Sequence, residues 1–180
     1  GHSGARPAVV ELLLAMLEAR LHPVVPSIGS VGASGDLAPL AHVALCLLGE
    51  GTITGPDGAP REAAEALAEA GLRPVALEAK EGLALLNGTH LMAAMASLAV
   101  HDADRLLASA IGAAAMALDA CRGTDVPYDP RIQLVRGQSG QLEVAARLRS
   151  MLAGSRIVAA HREGDHRVQD PYCLRCVPQV

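Results

Sequence analysis

Tryptophan and phenylalanine are absent from this 180-residue chain, and Tyr128 and Tyr172 are its entire aromatic complement. That scarcity removes the stacking platforms on which RNA bases are usually held. It also argues against a β-sandwich, whose strands favour aromatic and β-branched residues. No run of lysine or arginine interrupts the mild net charge of −4, so the footprint of a nucleic-acid surface is missing. Cysteine is sparse and unevenly spaced, at Cys46, Cys121, Cys173 and Cys176. That is no disulfide framework, and it fits a reducing cytoplasm. The longest apolar runs, Leu91–Val100 and Leu106–Leu118, are too short or too interrupted for a bilayer span of about 20 residues. Gly1-His2-Ser3-Gly4 has neither the basic start nor the cleavage pattern of a signal peptide. The chain does not begin with methionine and stops directly after Val180, as expected of a piece of a longer protein.

What is present is alanine, leucine, valine and methionine, within a composition that is 51% apolar. Such a pool without large rings predicts closely packed helices. Pro7 followed by "AVVELLLAMLEARL" predicts a helix to about Leu21, and "HPVVPSIGS" an extended break. A second helix is expected from near Asp36 through "LAPLAHVALCLL". Gly49–Pro60 reads as a small hairpin around Pro-Asp-Gly, and "REAAEALAEAGL" as a short helix ending at Gly71. Asn87-Gly88 marks a turn before one long helix from His90 to about Cys121. "RGTDVPYDPRIQLVRGQSG" reads as a polar loop, "QLEVAARLRSMLAGS" as a helix, and Arg156–Val180 as irregular. The fold class expected is mainly α, a bundle of helices with a small β-hairpin. Residues 1–180 form one domain or part of one.

The stretch "GSVGASGDLAPLAH", Gly29–His42, is the most unusual. Glycine at this density costs backbone entropy on folding. Gly29, Gly32 and Gly35 precede a helix start that could cradle an anion, but the Walker lysine and a GxGxxG spacing are both missing. A capped helix-entry loop, with Ser34 or Asp36 as the cap, is the plain structural alternative. A chemical reading also exists. Attack of the Gly35 amide nitrogen on the Ala33 carbonyl carbon closes a five-membered ring across Ser34, and loss of the Ser34 hydroxyl leaves an electrophilic methylene. Gly35 has no Cβ to hinder that attack, and Asp36 stands next door as a proton acceptor. Read without further context, a single Asn-Gly such as Asn87-Gly88 is a turn, Tyr172 a packing residue and Arg175 a surface ion-pair partner. Cys173 and Cys176, with His161 and His166, could be drawn as a zinc site, but their gaps match no known finger.

Three stretches together narrow the choice. "GSVGASGDLAPLAH" resembles the signature of the aromatic amino acid ammonia-lyases that carry a 4-methylideneimidazole-5-one (MIO) group, and "LAPLAH" is most similar to the histidine branch. "KEGLALLNGT" (Lys80–Thr89) resembles that family's asparagine-bearing segment, and "VQDPYCLRCVPQV" (Val168–Val180) its Gln-Asp-Pro-Tyr segment. The opening "GHSGARP" is similar to its Gly-x-Ser-Gly stretch, so the likeness runs over all 180 residues.

The resemblance implies a fold of long, nearly antiparallel helices, of which residues 1–180 are a central portion. It implies that Ala33, Ser34 and Gly35 become the MIO group, that Asp36 assists, and that no external cofactor or metal is needed. Asn87 then hydrogen-bonds near the ring and the substrate amine, Tyr172 lies over the ring, Gln169 lines the site and Arg175 holds the substrate carboxylate. The implied reaction removes ammonia from L-histidine to give trans-urocanate, in a cytoplasmic homotetramer that takes a small amino acid and binds neither nucleic acid nor membrane. Sister activities on phenylalanine or tyrosine, an aminomutase, or a non-catalytic helical piece are the alternatives. The family's base tyrosine lies upstream of Gly1 and a further glutamate beyond Val180, so the isolated piece is expected to be inactive. His90 stands where many histidine-branch members have glutamine, and "RGQSGQ" is only loosely similar to its family loop.

Overall fold

Pro7 opens the first helix because its fixed φ suits the first turn, where a backbone N–H would be unpaired anyway. Helix α1 (Pro7–Glu18) buries Val9, Leu12 and Met16, a stripe at spacings of three and four. It closes two residues beyond with Arg20 at φ 55°, Leu21 N–H donating to Met16 O and Arg20 N–H to Leu17 O. This reversed-turn ending satisfies carbonyls that a helix end leaves open, and it drives Leu21 into the core. Helix α2 (Leu37–Leu47) closes in the same manner on Gly49, and α3 (Ala63–Glu69) on Gly71. The computed structural model describes residues 4–32 and 35–180.

The expected hairpin is present as β2 (Thr52–Thr54) against β3 (Pro60–Glu62), with Ile53 opposite Arg61. It is widened by β1 (His22–Pro23), part of the segment read as an extended break, giving a three-stranded antiparallel sheet in the order β1-β2-β3. Ile53 is fully buried and joins Val9, Met16, Leu47, Ala66 and Leu67 in one core. Helix α4 (Glu81–Leu86) packs on α2, and the long helix α5 (His90–Ala120) follows.

Contacts divide the chain into two units, Gly1–Leu98 and Ala99–Val180, with α5 running from the first into the second. The second unit centres on Ile111, Ala115 and Leu118, one face of α5, with Tyr128, Ala145 and Leu148. Within it the expected polar loop 122–140 is corrected: it holds a 3-10 turn (Val126–Tyr128) and helix α6 (Pro130–Arg136). Asp129 caps α6 by accepting from the Arg131 N–H at 2.8 Å, and Pro130 takes the first position. A start signal of Asp-Pro before only seven residues is easily read as a turn. Helix α7 (Ser139–Leu152) begins slightly earlier than predicted, and its Gln141 amide donates to Gln133 Oε1 at 2.7 Å, pairing two buried amides. The segment read as irregular contains α8 (Arg156–Ala160), capped by Ser155, and α9 (Tyr172–Arg175).

The reading of the apolar runs as too short to span a bilayer is corrected, because Glu81–Ala120, taken as one helical stretch through α4 and α5, is long and apolar enough to do so by length and composition. Asp102, Asp104 and Arg105 stand near its middle. A span centred on them would bury three charges at about 2.5–3.5 kcal/mol each.

Candidate active-site residues

In the first unit the residues singled out from the sequence are Ala33, Ser34, Gly35, Asp36 and Asn87. Ala33 and Ser34 lie outside the described residues. Gly35 is buried with φ 150°, and a Cβ added there would sit 2.6 Å from Asn87 Oδ1 and 3.5 Å from Asn87 Cα. Position 35 thus meets the Asn87 amide backbone-first, and any side chain would displace it. Asn87 is held as the residue closing α4, its N–H donating to Leu83 O at 3.0 Å.

Asp36 is fully buried, at 0% exposure. It occupies the N-cap position of α2, yet its side chain makes no capping bond, so the reading of Asp36 as the cap is corrected, while the Ser34 alternative lies outside the described residues. Instead one carboxylate oxygen accepts from the Ser30 hydroxyl, and the other from the Met92 N–H at 3.1 Å. Its own N–H donates to Gly88 O at 3.0 Å. The Gly88 and Met92 bonds therefore tie the glycine-rich loop to the turn after Asn87 and to the first turn of α5, and the Ser30 bond closes the loop on itself. A buried carboxylate needs such partners, since unpaired it would lose far more in desolvation than it gains.

Helix α4 is itself anchored by Glu81, which is 1% exposed. Glu81 accepts from the Arg6 backbone N–H at 2.8 Å, from Arg6 Nε at 2.9 Å and Nη2 at 2.8 Å, and from the Glu78 N–H at 2.7 Å. The Arg6 guanidinium first, then the two backbone donors, lower the Glu81 carboxyl to about 2. Because its folded value is depressed, the contribution is complete above the ordinary value of 4.5 and is lost as pH falls toward about 2. Glu81→Gln is expected to lower the thermal midpoint by roughly 5–10 °C at neutral pH. The difference from the parent should shrink between pH 4.5 and pH 2, in thermal melts followed by circular dichroism.

In the second unit, Gln169, Tyr172 and Arg175 fall on one short segment. Tyr172 opens α9 and is 73% exposed, with the Arg175 guanidinium 4.7 Å from its ring centroid. Arg175 Nε donates to Asp170 O at 2.6 Å. Among the described residues no carboxylate pairs with Arg175, so the ion-pair alternative for it does not hold. Gln169 is exposed beside them. Tyr172 borders a groove of about 410 Å³ whose walls include Leu107, Ile111, Val144 and Val177. A stacked guanidinium beside an apolar groove suits an amino acid with a planar side chain: the fork meets a carboxylate and the groove meets the ring.

Five residues that position these groups escaped the sequence reading. Arg6 and Glu81 anchor α4, and Ser30 meets Asp36. Asp170, 5% exposed, accepts from the Thr124 N–H at 2.6 Å and faces Arg167 Nη1 at 3.3 Å. Tyr128, fully buried, donates its hydroxyl to Leu174 O at 2.5 Å, and burial pushes it up to about 12, so it stays a donor over the working range. A buried charge next to a motif would have been the available signal, but sequence gives no sign of which charges are buried. Cys173 and Cys176 are free thiols, and among the described residues no cluster of three or more histidine, cysteine or acidic side chains could hold a metal. His161 faces Ile157 O at 2.6 Å and Gly123 O at 3.0 Å.

Comparison with known proteins gives this arrangement its context. The chain is 58% identical over 180 residues to a histidine ammonia-lyase of Deinococcus radiodurans, covering 100% of this chain and 34% of that protein. It is thus about a third of the length of the curated relatives it matches. Among solved structures it resembles histidine ammonia-lyase from Trypanosoma cruzi, with a TM-score of 0.85 and 39% identity over 100% of this chain and 32% of that one. It also resembles phenylalanine ammonia-lyase from Rhodosporidium toruloides, with a TM-score of 0.88 and 37% identity over 99% and 27%. The fold is therefore the helical ammonia-lyase fold that the resemblance implied. A profile of the aromatic amino acid lyases matches residues 1–180, and the chain belongs to that family.

Proposed function

We propose that the enzyme of which this chain is a part removes ammonia from L-histidine to give trans-urocanate. The observation that carries the reading is the buried Gly35 backbone against the Asn87 amide, beside the fully buried Asp36. A position where a Cβ would meet Asn87 Oδ1 at 2.6 Å fits a residue whose amide nitrogen must reach a neighbouring carbonyl. The residues present thus fit an MIO group formed from Ala33, Ser34 and Gly35, with Asp36 as the local proton acceptor. When formed, that group supplies an electrophile that ordinary side chains lack.

Residues of this chain bind and orient the substrate. In the second unit the Arg175 fork is the group for the substrate carboxylate, with Tyr172 and Gln169 beside it; in the first, Asn87 is the amide that hydrogen-bonds the amine. Fixing the substrate in this manner supplies much of the rate, because the entropy of orientation is lost on binding, before reaction. Histidine is preferred over phenylalanine because curated relatives at 58%, 57% and 54% identity are histidine ammonia-lyases. Purified full-length enzyme should form urocanate from L-histidine, read by ultraviolet absorbance. Release of cinnamate from L-phenylalanine instead would transfer the assignment to the sister activity.

We place the whole enzyme in the cytoplasm as a homotetramer. Four free thiols support the compartment. Met95, Leu98, Leu106 and Leu107, all more than half exposed on α5, support the assembly. Sedimentation equilibrium on the full-length protein checks the assembly, and a monomer would refute it.

A further inference from the structure

Asp170 offers both of its functional ends to different partners. Its carboxylate, 5% exposed, takes the Thr124 N–H at 2.6 Å on one oxygen and faces Arg167 Nη1 at 3.3 Å on the other. Its backbone carbonyl takes Arg175 Nε at 2.6 Å. Thr124 stands just past the end of α5, where Arg122 adopts φ 54° and the Gly123 N–H donates to Leu118 O at 2.7 Å. No Cβ would fit at Gly123, since it would lie 2.9 Å from Leu118 Cγ and 3.3 Å from Asp170 Oδ2. The anchoring N–H therefore comes from a rigid, closely packed turn. Arg167 is fixed in turn by the carbonyls of Cys121, at 3.2 Å, and Arg122.

From this geometry we infer that Asp170 is a positioning residue for Arg175, resting on the reading that Arg175 binds the substrate carboxylate. The Thr124 and Arg167 bonds fix the Asp170 peptide, and its carbonyl then fixes Arg175 at Nε. An arginine held by Nε keeps its two Nη groups for a bidentate partner, and its plane is set by the Tyr172 ring 4.7 Å away. Without the anchor the long side chain regains rotamer freedom, and a carboxylate must pay to order it again. Binding precision of this kind is set by supporting residues that never touch the ligand.

The test uses the full-length enzyme with two probes: L-histidine, and histamine as a competitive inhibitor that keeps the imidazole and amine but lacks the carboxylate. Asp170→Asn should raise KM for L-histidine roughly tenfold, as expected for one charge-assisted hydrogen bond, and change histamine inhibition less than about twofold. Arg167→Gln removes the other arm of the anchor at a partly exposed position and should shift the same ratio in the same direction. It decides the question if Asp170→Asn does not fold. Arg175→Lys should discriminate the two probes at least as strongly, and adding Asp170→Asn to it should cost no further affinity. Equal weakening of both probes, or effects that multiply in the double variant, would overturn the inference. If Arg175→Lys fails to discriminate the probes, the carboxylate reading falls and this inference with it. If Arg175→Lys discriminates while Asp170→Asn and Arg167→Gln do not, only the inference falls.

Discussion

Ser34→Ala in the full-length enzyme should lower kcat at least about a thousandfold while leaving the fold intact. The reason is stoichiometric. Closing the ring across residues 33–35 expels one water from the peptide, and creating the methylene expels a second as the Ser34 hydroxyl leaves. Alanine has no hydroxyl to lose, so the ring could close but the electrophile could not form. Without it the substrate amine remains a poor leaving group, and the β-proton is only weakly acidic. Neighbouring Gly35 and Asp36 are buried against Asn87 and Gly88, and the substitution removes a single hydroxyl. The variant should therefore melt within a few degrees of the parent, and its loss should appear in kcat measured by urocanate absorbance.

Arg175→Gln carries the second-largest expected effect. Arg175 has no carboxylate partner among the described residues, while its Nε is occupied by Asp170 O and its face by Tyr172. Such a cation is prepared for an anion that arrives with the substrate. Losing a bidentate, charge-assisted contact should raise KM roughly 10–100-fold. A smaller fall in kcat should accompany it, because a substrate held by fewer points is less well aligned. Arg175→Lys should fall between the two, since a point charge cannot reproduce the planar fork. Steady-state kinetics over a range of L-histidine concentrations separates the two terms. An unchanged KM would remove Arg175 from the carboxylate site.

Much of the helical architecture was legible from periodicity. The stripe Val9, Leu12, Met16 announced α1, and the run from His90 announced α5, because each repeats at helical spacing over several turns. Helix α6 was missed because seven residues give little period, and its Asp-Pro start has the chemistry of a turn. The third strand was missed because His22–Pro23 is a strand only through its partner at Thr54 and Ile53. Motif clusters single out Gly35-Asp36, Asn87 and Gln169–Arg175 as candidates, and the structure brings Gly35 and Asp36 against Asn87 and Gly88. Their supports were not legible, because Asp170 meets Thr124 across 46 residues and Arg6 meets Glu81 across 75. No local pattern encodes such pairings; they follow from which charges the fold buries. Gly35 takes its meaning from the same source, since a Cβ there would press on the Asn87 amide, whereas Gly29 and Gly32 have nothing within 4 Å.

The central claim is that Ala33, Ser34 and Gly35 become an electrophile in the whole enzyme. Mass spectrometry of the proteolytic peptide containing these residues, taken from active full-length protein, tests it most directly. The account predicts a peptide lighter than its sequence mass by two water molecules, returning to the unmodified mass of its own sequence, less at most one water, in Ser34→Ala. A peptide from active enzyme at its full sequence mass would contradict it.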